Sequence, residues 1–155
     1  MKKDFVIRNI TASETRPVRH EVLWPHLPSA ASCVIDIDDQ VGAHHVGAFD
    51  SNGKLVGVCS LFQQRSERFP HAISNDAAVY RLRVMGTVEE VRGHGAAAAI
   101  IDYVCLWCSR QSIAYVWCDA REVAFGFYER MGFKFVSDKF EIEHIGLHRM
   151  MARSV

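Results

Sequence analysis

The sequence predicts an α/β fold with a mixed sheet, and three observations carry that reading. Two β-rich runs flank Asn52-Gly53 in "HHVGAFDSNGKLVGVCSLF", a pair that readily takes the positive φ angles of a tight hairpin turn. A strand-like run, "VYRLRVMGTV" (Val79–Val88), passes through a glycine-broken turn into an apolar helix. That helix leads into a second strand-like run, "SIAYVWCD" (Ser112–Asp119). A hairpin followed by a β-α-β unit gives a sheet with antiparallel and parallel neighbours and helices over its faces. At 155 residues, 49% of them hydrophobic, residues 1–155 form one domain with a sizeable core.

The elements follow in order. "DFVIRNIT" (Asp4–Thr11) is short and β-rich, a first strand. "TASETRPVRHEVLW" reads as a helix: Thr11 and Glu14 have capping-box spacing, while a start nearer Thr15 would place Pro17 in the first turn. "PHLPSAASCVIDIDDQ" (Pro25–Gln40), with two prolines and an acidic cluster, is an irregular connection. After the hairpin, "QQRSERFPHAISNDA" is polar and proline-broken, a loop. The helix after the glycine turn places Ala97, Ile100, Ile101, Val104 and Cys108 on one face. In "EVAFGFYERMGF" the last helix aligns Ala124, Phe127, Tyr128 and Met131, and Gly132 stands where a left-handed C-terminal cap is wanted. The remainder reads as two strands joined near Glu143–Gly146.

Lys+Arg and Asp+Glu balance at 18 each, so bulk charge points neither to nucleic acid nor to an anionic membrane. No apolar run is long enough to span a bilayer, and "MKKDFVIRNI" meets a charge too soon for a signal-peptide core. The expectation is a cytoplasmic protein. Its five cysteines are an odd number and fit reduced, buried thiols. Cys105 and Cys108 lack a second pair, and His44 and His45 face opposite sides of a strand, so no metal is expected.

The chemistry begins at "EEVRGHGAAAAIIDYV" (Glu89–Val104). A strand running through glycines into a helix leaves backbone N–H groups unpaired at a partly positive helix end, a cradle for phosphate or pyrophosphate. Gly93 and Gly95 supply conformations that a β-carbon forbids, the alanines leave the approach open, and Arg92 adds charge at the rim. "GHGAAAA" is neither a full dinucleotide fingerprint nor a Walker loop, and a tight turn with close helix packing explains it as well.

"VEEVRGHGAAAAIIDYV", with Arg92-x-x-Gly95-x-Ala97, resembles the acetyl-CoA signature of GNAT N-acetyltransferases, and "AFGFYERMGFKFV" resembles their second signature. The resemblance covers essentially the whole chain. It implies the GNAT fold: a mixed central sheet with a splayed pair of strands, flanked by helices. "ITASETRPVRHEVLWP", "YRLRVMGTVEEVRG", "VWCDAREVAFGFYERMGF" and "EIEHIGLHRMM" further resemble the glyphosate N-acetyltransferases and their bacterial relatives. That implies acetyl-CoA as donor and the amine of a small, anionic, amino-acid-like molecule as acceptor.

Residue by residue, the resemblance implies that Met85, Gly86, Thr87, Val88, Arg92, Gly93, His94, Gly95, Ala96 and Ala97 bind the donor. Arg83 and Arg121 fall where the family holds the acceptor's anionic groups, chemistry suited to planar guanidinium forks. His148 aligns with the family's base and Tyr128 with the acid that protonates the departing thiolate. The expected mechanism is direct transfer in a ternary complex, with pantetheine between splayed strands around Met85–Val88 and Tyr115–Cys118 and a backbone N–H near Met85 or Gly86 polarising the thioester. Cys118 is no nucleophile in this scheme.

Four positions depart from the pattern. Trp24 replaces a family arginine in the acceptor site, which should disfavour a doubly anionic acceptor such as glyphosate. Val84 and Gly86 replace the usual Gly and Ala on the donor strand, and Asp119 replaces an asparagine and could draw Arg121 away by pairing with it. Trp24, Val84 and Asp119 keep in view a CoA-binding sensor or interaction module with degenerate chemistry; a transferase acting on protein or peptide amines is the other alternative, against which the Arg83 and Arg121 pair argues. Either a monomer or a homodimer is compatible.

Overall fold

The computed structural model describes residues 3–155, in two compact units. The first comprises the described residues up to Phe62 together with Leu82–Val104; the second comprises Gln63–Arg81 with Cys105–Val155. Strand β4 (Val79–Thr87) and helix α2 (Ala96–Arg110) contribute to both.

In the first unit the strand order is β1 (Val6–Ile10), β2 (His44–Phe49), β3 (Leu55–Phe62) and β4. β1 and β2 pair antiparallel, as do β2 and β3. The hairpin forms where expected, but its turn is longer than a two-residue one. Asp50 organises it by accepting from the N–H groups of Asn52 and Lys54, both at 2.9 Å, and only Gly53 takes a positive φ, 78°. Helix α1 (Ala12–Val18) starts at Thr11 with both capping-box bonds present, so Pro17 lies inside it. The helix continues into a π-helical turn, Arg19–Leu23, closed by the Trp24 N–H on the Arg19 carbonyl at 2.9 Å. Ile100 and Ile101 of α2 are fully buried.

In the second unit the first three residues of β4 pair in parallel with β5 (Tyr115–Arg121). β5 runs antiparallel to β8 (Gly146–Ser154), which also pairs with β6 (Lys134–Phe135) and β7 (Phe140–Ile142). The segment expected as one strand before the last turn is thus split into two short ones. The sheet is mixed and flanked by helices, as anticipated. Helix α3 (Phe125–Arg130) ends as its sequence predicts: Gly132 takes φ 86°, its N–H reaches the Glu129 carbonyl, and the Phe133 N–H reaches Tyr128 at 2.9 Å. The Phe133 ring then packs on Tyr128, centroids 5.2 Å apart, which locks that tyrosine into the core. Among the described residues no helix is long and apolar enough to cross a membrane.

Candidate active site

The glycine turn has the geometry its sequence implies. Gly93 and Gly95 sit at φ 79° and 93°, in the left-handed region that side chains with a β-carbon rarely enter. The Ala99 N–H bonds the Gly95 carbonyl at 3.0 Å, so the N–H groups of Ala96, Ala97 and Ala98 precede the first intrahelical bond of α2. No acidic side chain occupies that first turn to compete for them. Arg92 is exposed beside it, and the turn is braced by the Lys3 N–H on the His94 carbonyl at 3.0 Å. N–H groups ahead of the first intrahelical bond, at a helix start without acidic side chains, could hold the pyrophosphate of a CoA ester.

On β4, Arg83 is half-buried and Val84 takes φ 47°. A β-branched residue in the left-handed region is strained. Gly86 has a packing reason: an added β-carbon there would lie 2.9 Å from Val22 and 3.3 Å from Leu23 of the π-helical turn. That close approach ties the segment ending in half-buried Trp24 to β4.

Beneath Trp24's segment lies a polar network that sequence reasoning missed. Arg19, with 0% exposure, grips Asp38 through two bonds of 2.8 Å and also reaches the Cys33 carbonyl and the Ser60 hydroxyl. His45 Nε2 lies 2.9 Å from the Asp38 carbonyl, which can only accept, so Nε2 carries the proton and Nδ1 accepts from Ser60 at 2.7 Å. Burial alone would raise the Asp38 pKa, but the Arg19 hydrogen bonds, the Ile35 N–H and the Arg19 charge together hold it below the usual carboxylate range.

In the second unit His148 is 4% exposed, and its Nδ1 lies 2.7 Å from the Gly146 carbonyl. Because a carbonyl cannot donate, Nδ1 carries the proton and Nε2 of the neutral ring is the basic nitrogen. The imidazole stacks on Phe140 at 5.7 Å and 28°. Directly opposite it on the β5–β8 ladder is Arg121, exposed and without an ion-pair partner among the described residues. Opposed residues share a face of the ladder, so Arg121 and His148 lie side by side. Tyr128 is buried and hydrogen-bonded to the Cys118 thiol, which belongs to the other face because successive residues alternate. The base and the acid expected from the sequence are therefore on opposite faces of this ladder.

Two expectations are resolved here. Asp119 does not pair with Arg121; its carboxylate meets Arg81 at 3.0 Å, and that guanidinium also lies over Trp117. Burial pushes the Cys118 thiol far up, with the Asp119 charge adding to it, and the group is 3% exposed, which suits a core residue and not a nucleophile. Burial likewise pushes Cys108 up to about 12. No cluster of three or more His, Cys, Asp or Glu among the described residues is arranged to hold a metal.

A sequence model of the acetyltransferase (GNAT) domain matches residues 26–154. The chain belongs to the GNAT family. This GNAT chain is 30% identical over 149 residues to the uncharacterized N-acetyltransferase YitI of Bacillus subtilis strain 168, covering 96% of this chain and 95% of that one. Its fold is similar to an acyl-CoA N-acyltransferase from Pseudomonas aeruginosa, with TM-score 0.70, 19% identity, and 97% and 98% of the two chains covered. It is also similar to an aminoglycoside 6'-N-acetyltransferase in complex with coenzyme A, with TM-score 0.71, 13% identity and 96% of each chain covered. The GNAT enzyme is accordingly an acyl-CoA-dependent acetyltransferase, and acetyl-CoA is the substrate its family uses.

Proposed function

We propose that the enzyme transfers an acetyl group from acetyl-CoA to the amine of a small, anionic, amino-acid-like acceptor, directly and without a covalent enzyme intermediate. The observation that carries this reading is the fixed tautomer of His148, whose basic Nε2 sits beside the Arg121 position on one face of β5–β8. An ammonium acceptor must lose a proton before it can attack, and a buried imidazole with its other nitrogen held by a carbonyl is suited to take it. The resemblance to the glyphosate N-acetyltransferases gives Arg121 and Arg83 the role of binding the acceptor's carboxylate or phosphonate, and Trp24 a role in acceptor binding. The similarity of four sequence segments to the glyphosate N-acetyltransferases supports this class of acceptor.

The donor's pyrophosphate rests on the backbone of Arg92–Ala97, and Met85–Val88 hold its pantetheine. A backbone N–H near the strained Val84, at Met85 or Gly86, donates to the thioester oxygen. As the C–N bond forms and the C–S bond breaks, Nε2 of His148 takes the amine's proton, and the departing thiolate takes one from water, since the buried Tyr128 hydroxyl expected as the acid lies on the opposite face and is bonded to Cys118. The test is thiol release from acetyl-CoA across a panel of amino acids, aminophosphonates and simple amines. Turnover concentrated on anionic amino acids supports the reading. Acetyl-CoA binding with no turnover across the panel points instead to a sensor.

A further inference from the structure

The loop 63–78 carries no helix or strand, yet it is firmly pinned. Arg65 donates to three of its carbonyls, Ala77 at 2.8 Å and Ile73 and Ser74 at 2.9 Å, and the Phe69 N–H closes a turn on the Ser66 hydroxyl at 3.0 Å. These bonds present two consecutive side chains to one ring. Phe69 packs against Phe140 at 5.4 Å, and the Arg68 guanidinium lies over the Phe140 ring at 4.3 Å. The same ring is the one on which His148 stacks.

Other stacked arginines of this unit have their donors engaged. Arg81 bonds Gln64 and Asp119, and Arg149, over Phe135, bonds the Ser137 carbonyl. Arg68 is exposed and has no ion-pair partner among the described residues. A guanidinium laid flat on a ring keeps its N–H edge available for a carboxylate, and the stacking removes part of the entropy cost of holding it there. We propose that Arg68 is a further anion-binding residue of the acceptor site, selecting amino acids that carry a distal carboxylate or comparable anion on a short side chain.

This inference rests on His148 being the base, so its test reads binding separately from turnover. L-Glutamate and its isostere L-glutamine are titrated calorimetrically into the CoA-saturated enzyme as wild type, Arg68→Ala and Arg68→Lys, and thiol release from acetyl-CoA is measured in parallel. Wild type should prefer glutamate, Arg68→Ala should lose about 10–100-fold of that preference, and Arg68→Lys should recover part of it. Absence of a preference in wild type overturns the proposal. So does an equal weakening of both ligands in Arg68→Ala, since Arg68 would then merely prop Phe140 and His148. A preference that depends on Arg68 without thiol release upholds the anion site and refutes acetyl transfer to this acceptor.

Discussion

Around Gly93 and Gly95 the first unit offers a ligand its backbone, whereas around His148 the second offers side chains steadied by one carbonyl and one ring. The proposed cradle needs only two left-handed glycines and a helix start free of carboxylates, features that would suit the charge and shape common to every CoA ester. The His148 region depends on Gly146, Phe140 and Arg121 meeting across three strands, an arrangement that can vary with the acceptor. A family can thus keep one donor while changing the molecule that receives the acetyl group.

The sharpest way to separate the two regions is His148→Ala. It should lower kcat by about 10²–10⁴-fold while CoA affinity, measured by equilibrium titration, stays within about twofold. A matching loss of CoA binding would break the comparison. Next in size is Asp38→Ala, which strands the fully buried Arg19 and should cost about 3–5 kcal/mol in urea unfolding. The same pair predicts a pH response. Because the folded-state pKa of Asp38 is lowered, its contribution is complete above the ordinary aspartate range and is lost as pH falls through the folded value. Asp38→Asn should flatten that acid limb.

Smaller effects probe the cradle. Gly95→Ala forces a β-carbon into φ 93° and should cost about 1–2 kcal/mol, seen chiefly as weaker CoA binding with the acceptor preference unchanged. The smallest expected change is at Val84. Glycine there relieves the left-handed strain but adds freedom to the unfolded chain, so Val84→Gly should raise stability by no more than about 1 kcal/mol. A clear fall in Tm would show that the valine side chain contributes packing that outweighs its strain.

Much of the first region was legible in the sequence because its determinants are local. The positive φ of Gly93 and Gly95 follows from the glycines themselves, and the Thr11–Glu14 capping box, one of two helix starts the sequence left open, follows from a few adjacent residues. The hairpin was legible too, although Asp50 organises its turn more than Asn52 does. The second region was legible only through resemblance. Nothing near Asp119 in the chain indicates Arg81 as its partner, 38 residues away, and Arg68 reads as one charge in a polar loop. Asp38 lay in an acidic stretch with no visible reason to be buried.

The sequence by itself determined the order of elements, the glycine cradle and the helix ends, since backbone sterics and capping act within a turn or two. Tertiary structure alone decided the rest. It gave Asp38 to Arg19 and Asp119 to Arg81, put His148 and Tyr128 on opposite faces of one ladder, and set both Arg68 and His148 against the Phe140 ring. Those outcomes depend on which strands pair and in what register, and a shift of one residue would reverse every face.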